Sequence, residues 1–100
     1  MKIIDEEYVL QLLKKRNYNS EELCSILKKR PVQIREFVNK ERQKGIPICS
    51  NKSGYWLSDN CEEINKTINS LQKRVKSMKS AIDGLKNCLK EMEQDGNSND

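Results

Sequence analysis

The side chains with the greatest capacity for chemistry lie between Lys28 and Lys44, where seventeen positions hold seven Lys or Arg and two acidic residues, a net +5. Cations at that density neutralise phosphates and make binding to a polyanion steeply salt-dependent. Arg30, Gln33 and Arg35 are also types that read base edges, Arg matching guanine and Gln matching adenine with paired hydrogen bonds. Lys28, Lys29, Lys40 and Lys44 suit phosphate contacts, which position a protein without reading sequence. Catalytic chemistry is poorly supplied: the hundred residues contain no histidine, no glycine motif that would cradle a phosphate and no nucleophile beside a base. No catalytic residue and no cofactor are expected, and the chain reads as a non-enzyme. Cys24, Cys49, Cys61 and Cys88 stand 25, 12 and 27 residues apart, matching no zinc spacing. Their expected role is packing, with no metal.

The basic run needs helices to present it. Asp5, Glu6 and Glu7 suit the start of a first helix, and Lys14, Lys15 and Arg16 its end. Its inward stripe is Val9 or Tyr8 with Leu12 and Leu13. After the polar break Asn17-Tyr18-Asn19, Ser20 suits the N-cap of a short helix from Glu21 to about Lys28, with Leu23, Ile26 and Leu27 inward. A third helix over 31–44 follows almost at once, with Pro31 in its first turn and Ile34, Phe37 and Val38 buried. Two helices joined by so short a turn match the helix-turn-helix pattern, which needs a small residue at the helix crossing and apolar residues to lock the second helix. Cys24 lies ten residues before Ile34 and thirteen before Phe37, as that packing requires. An ordinary three-helix core would show the same apolar pattern.

Beyond Gly45, Ile46-Pro47-Ile48-Cys49 reads as a strand, 50–54 as a turn and Tyr55-Trp56-Leu57 as a returning strand. The segment 4–58 resembles the winged-helix domain at the amino terminus of biotin-protein-ligase repressors, and similar domains of small bacterial and phage regulators. The matching residues are Glu21, Leu23, Leu27, Ile34, Val38, Arg42, Gly45-Ile46-Pro47-Ile48 and Gly54-Tyr55-Trp56-Leu57. Two places depart from it: Lys28 and Lys29 occupy turn positions that usually hold Gly and an apolar residue, and Glu41 stands where Leu is frequent. The resemblance implies a wing over 46–57 and a recognition helix over 31–44 that enters the major groove of double-stranded DNA. It also implies that Tyr55 and Leu57 share a face. With Ile34, Phe37 and Val38 inward, helical geometry leaves Gln33, Arg35, Glu36, Asn39 and Lys40 outside. Asn39, and Lys52 in the wing, join the expected DNA contacts.

The second half carries a different pattern. Apolar residues fall at Ile64, Ile68, Leu71, Val75, Met78, Ile82, Leu85, Leu89 and Met92, alternating steps of four and three. This is a coiled-coil seam, and one helix cannot bury it alone. A mostly β-branched a layer over Leu and Met favours two parallel strands. The flanking g and e′ positions supply no attractive pair, however, and Arg74 would face Lys79, so antiparallel pairing or more than two helices stays open. The helix is expected from residue 60 to about 94, capped by Ser58 or Asp59, with Gly84 as a place for a bend.

The expected fold is mainly α with a small β-hairpin wing: a winged helix-turn-helix over 1–58, a coiled-coil helix over 59–94 and a disordered tail over 95–100. No stretch has the ~20 apolar residues of a membrane span, and the acidic start MKIIDEEY is unlike a signal peptide. The expected location is the cytoplasm of a bacterium or phage-infected host. The leading functional expectation is a dimeric transcriptional regulator of phage or mobile-element type. The alternative is an interaction module of a replication or recombination assembly, binding protein through both parts.

Overall fold

A computed structural model describes residues 4–98. The chain forms α1 (Glu6–Lys15), α2 (Ser20–Leu27), α3 (Pro31–Gln43), β1 (Ile48–Asn51), β2 (Gly54–Leu57) and α4 (Cys61–Ser98). It divides into two units, one ending at Thr67 and the other beginning at Ile68.

In the first unit, α1 starts where Asp5 accepts the N–H of Tyr8 at 3.1 Å. Its i, i+4 pair Val9 and Leu13 is buried, whereas Tyr8 faces solvent. The cap of α2 is Asn19 rather than Ser20. Asn19 Oδ1 accepts the N–H of Glu22 at 2.8 Å, and Glu22 Oε1 accepts the N–H of Asn19 at 3.0 Å. This reciprocal box needs a Glu or Gln three residues after the cap, and Ser20 has Leu23 there. Leu23 is buried, but Ile26, also expected inward, is exposed.

Lys28 ends α2 in the left-handed region, at φ 53° and ψ 50°, so it performs the turn role usually given to Gly. Pro31 opens α3, which buries Ile34, Val38 and Glu41. The helix ends in a Schellman closure: Gly45 donates to the Arg42 carbonyl at 2.9 Å and Ile46 to that of Glu41 at 3.0 Å. Gly45 adopts φ 91°, which a side chain would oppose.

That closure moves the hairpin. Ile46 spends its N–H on α3 and Pro47 has none, so β1 begins at Ile48, two residues later than expected. The antiparallel register runs from Ile48 opposite Leu57 to Asn51 opposite Gly54, leaving Lys52 and Ser53 as a two-residue tip instead of a five-residue turn. Tyr18 adds a short bridge on β2, exchanging two 2.9 Å backbone hydrogen bonds with Tyr55. Val9, Leu13, Tyr18, Leu23, Ile34, Val38 and Ile48 form the buried core, with Cys24, Phe37, Tyr55 and Leu57 packed against it. Burying each aliphatic side chain contributes about 1.5–3 kcal/mol. Tyr55 and Leu57 do share the inner face. Of the cysteines expected to pack, Cys49 is buried and Cys24 half-buried, but Cys61 and Cys88 are exposed.

The cap of α4 is Asn60, whose Oδ1 accepts the N–H of Glu63 at 3.0 Å. Neither Ser58 nor Asp59 takes that place. Ser58 lies inside, donating to Glu63 Oε1 at 2.6 Å. Ile64 is half-buried and Thr67 buried, the latter accepting the N–H of Ser50 at 3.4 Å.

The second unit is the remainder of α4, a continuous helix through Gly84. Residues 95–98, expected in a disordered tail, continue the helix, while 99 and 100 lie outside the described residues. No helix among the described residues is long and apolar enough to cross a membrane.

Candidate functional site

The turn after α2, the exposed face of α3 and the hairpin tip carry the side chains singled out for DNA contact. Arg30 is the residue before α3, Gln33 and Arg35 lie in its first two turns, and Asn39 and Lys40 lie further along; all five are exposed. Among the described residues, Lys28, Arg30, Arg35, Lys40 and Lys52 have no acidic partner. Lys29 is half-buried, and its N–H donates to the Cys24 carbonyl at 3.1 Å, helping close the turn.

Two of the expected contacts are otherwise engaged. Gln33 Oε1 accepts the backbone N–H of Arg30 at 2.9 Å, closing the first turn of α3. This bond holds the amide against the backbone of the first turn, whereas paired recognition of adenine needs its donor and acceptor aimed together at the base edge. Lys44 Nζ donates to Glu6 and, at 3.0 Å, to Glu41. The Glu6 bond first, then the Glu41 bond, raises the Lys44 pKa, and the Lys44 bond holds the Glu6 carboxyl below its ordinary range. A phosphate competing for Lys44 therefore has to displace carboxylates.

Glu41 is the polar group least at home in its surroundings. It is 2% exposed, and among the described residues its Oε1 has no hydrogen-bond partner.

The hairpin is tied to the helices by side chains rather than by apolar contact alone. Arg42 Nε donates to the Ile48 carbonyl at 2.8 Å and Nη2 to Ser50 Oγ at 3.0 Å. At the tip, Asn51 Oδ1 accepts the Ser53 N–H at 2.8 Å, and Asn17 donates to Ser53 Oγ at 3.0 Å. Lys52 is thus displayed from a tip held on both sides. Trp56 faces away from the core, its indole N–H donating to Glu63 Oε1 at 2.9 Å. The Ser58 hydroxyl and then the indole hold the Glu63 carboxyl below its ordinary range.

A cleft of about 760 Å³ lies between α1 and the segment 46–59. Its lining includes apolar Leu10, Ile46, Pro47 and Leu57, the carboxylates of Glu6, Glu7 and Asp59, and one cation, Lys14. Three carboxylates against one lysine make this cleft less suited to phosphate than the exposed cations of α3 and the hairpin tip. No three Cys, Asp or Glu side chains among the described residues are grouped to hold a metal ion.

No protein-family model, curated protein or solved structure matches this chain.

On α4, Ile68, Val75, Met78, Ile82, Leu85, Leu89 and Met92 are between 44% and 72% exposed, and Leu71 is half-buried. Ile64, placed in the same seam from its spacing, is instead half-buried with the first unit. Spacing alone could not separate Ile64 from its neighbours, because only the folded first unit covers it. The cap made by Gln33 did carry a signal: a Gln at the third helical position is the capping-box residue.

Proposed function

We propose that this protein binds double-stranded DNA as a homodimer and regulates transcription, in the manner of small phage or mobile-element regulators. In this reading α3 is the recognition helix of a winged helix-turn-helix and the β1–β2 hairpin its wing. The observation that carries it is the placement of exposed cations on the turn before α3, the outer face of α3 and the hairpin tip, within a run of net +5 from Lys28 to Lys44. Arg16 is paired with Glu22 at 3.0 Å and Lys44 with two carboxylates, whereas Lys28, Arg30, Arg35, Lys40 and Lys52, like Lys14 and Lys15 of α1 and most cations of α4, have no such partner among the described residues. Those five are open to phosphates and base edges without displacing a carboxylate. The left-handed turn at Lys28 and the hairpin directly after α3 support the fold assignment.

The homodimer reading rests on the exposed stripe of α4. Seven large apolar side chains in one row are more than a monomer in water ordinarily leaves open. Sedimentation of the full chain should give a dimer, and Ile82→Lys a monomer.

Fluorescence anisotropy with duplex DNA at two salt concentrations tests the central claim. Binding should weaken steeply as salt rises. No binding at low salt overturns it and favours the assembly-module reading, with the cleft lined by Leu10 and Pro47 as the docking feature.

A further inference from the structure

The exposed stripe of α4 also specifies the direction of its partner. We infer that it is covered by the same helix of a second copy running antiparallel, with Ile68 opposite the partner's Met92. This rests on the homodimer proposed above and adds orientation and register.

The limits of the stripe come from burial. Thr67 is 7% exposed and Ile64 half-buried, and both belong to the first unit, whereas the row from Ile68 lies in the second, where Ile68 is 44% exposed, Leu71 half-buried and Met92 65% exposed. The face open to a partner therefore starts at Ile68 and ends at Met92.

Between those limits the spacing is palindromic. The eight residues are separated by steps of 3, 4, 3, 4, 3, 4 and 3, so a reversed copy brings every apolar residue onto another. Leu71 meets the partner's Leu89, Val75 the partner's Leu85 and Met78 the partner's Ile82. Each layer joins an a residue to a d residue, as antiparallel seams require. A parallel copy would satisfy the apolar row equally, so the choice falls to charge.

Lys73, Arg74, Lys76 and Lys79 are concentrated in seven residues, and Glu91 and Glu93 lie near the other end. In a parallel pair the cationic cluster lies level with its own copy, and Arg74 opposes the partner's Lys79 on both sides. Reversal lays the cluster along residues 81–87 of the partner subunit, where Asp83 and Lys86 leave no net charge. One like-charged contact remains, Lys79 with its own copy on the symmetry axis. Next to it Ala81 also meets its own copy, and its short side chain admits close approach. Like charges within a Debye length, about 10 Å, repel appreciably, so the arrangement with one such contact is favoured over that with two.

Cysteine cross-linking tests this in full-length chains carrying Cys61→Ser and Cys88→Ser. Antiparallel pairing puts Ile68 about 36 Å from its own copy, at 1.5 Å per residue, beyond a short bis-maleimide. Ile68→Cys alone should give no cross-linked dimer, and an equal mixture of Ile68→Cys and Met92→Cys chains should give one. A cross-link from Ile68→Cys alone overturns the proposal. Sedimentation separates the two levels of inference: a monomer refutes the homodimer reading itself, and a mass above two chains refutes two-stranded pairing. Lys79→Glu provides a second measurement without cysteines. In the antiparallel pair a like-charged contact persists and the dimer Kd should stay within about twofold. A tenfold tighter dimer would mean two new attractions to Arg74, hence parallel helices.

Discussion

The backbone N–H of Arg30 donates to Oε1 of Gln33 at 2.9 Å, joining two residues that the sequence places side by side as base readers. The contact divides their roles. Gln33→Ala should destabilise the fold by about 1 kcal/mol in urea titrations, the scale of a lost helix cap, and leave sequence preference intact. Arg30→Ala and Arg35→Ala should each cost about 1–3 kcal/mol of binding to a preferred duplex and relax that preference, read by anisotropy against variant duplexes.

Glu41 shows the opposite case, a charge buried without full compensation. Its Oε2 is bonded to Lys44, and among the described residues its Oε1 has no partner. Leu occupies a similar volume and leaves nothing unsatisfied. Glu41→Leu should therefore stabilise the protein by about 1–3 kcal/mol, seen as a higher urea midpoint.

Lys28 holds a left-handed conformation that suits Gly better than any residue with a Cβ. Lys28→Gly should raise stability by about 1 kcal/mol in the same assay. Because it also removes an unpaired cation, the slope of log affinity against log salt should fall by about one.

Gly54 must remain glycine. A Cβ there would lie 2.4 Å from the Tyr18 carbonyl oxygen, at φ 135°. Gly54→Ala should destabilise by about 3 kcal/mol or more, since it strains the backbone and breaks the bridge between Tyr18 and Tyr55. Gly84, inside α4, has nothing within 4 Å of an added Cβ. Gly84→Ala should instead stabilise the helix by about 1 kcal/mol, measured by thermal circular dichroism.

Trp56, the sole tryptophan, reports on Glu63. The Ser58 hydroxyl and then the indole lower the Glu63 pKa from its ordinary 4.5. A depressed folded-state pKa means that the ionised contact stabilises the fold above pH 4.5 and that this contribution disappears as pH falls through the lower folded value. Tryptophan emission should change below pH 4.5, and Glu63→Gln should abolish that step.

Much of the first unit was legible in the sequence because its signals are local. Acidic residues at the start of α1, Pro31 at the start of α3, Gly45 after its end and the i, i+4 pairs Val9–Leu13 and Ile34–Val38 each follow from backbone geometry within a turn or two. The errors share a physical cause. Asn19 displaced Ser20 as a cap because it has Glu22 three residues on, and β1 began late because α3 drew Ile46 into its closure. Period alone points Ile26 inward, although only packed neighbours decide which half of a short amphipathic stripe is covered.

By itself, the sequence determined the helical periods, the cationic run and the apolar seam, all of which depend on residues near one another along the chain. Tertiary structure decided which members of those sets are available: Lys44 is held by Glu6, Gln33 by Arg30, Trp56 by Glu63, and Ile64 is half-covered by the first unit while Ile68 is open. Availability depends on what chain folding brings within about 3 Å, and spacing along the chain carries too little information to specify it.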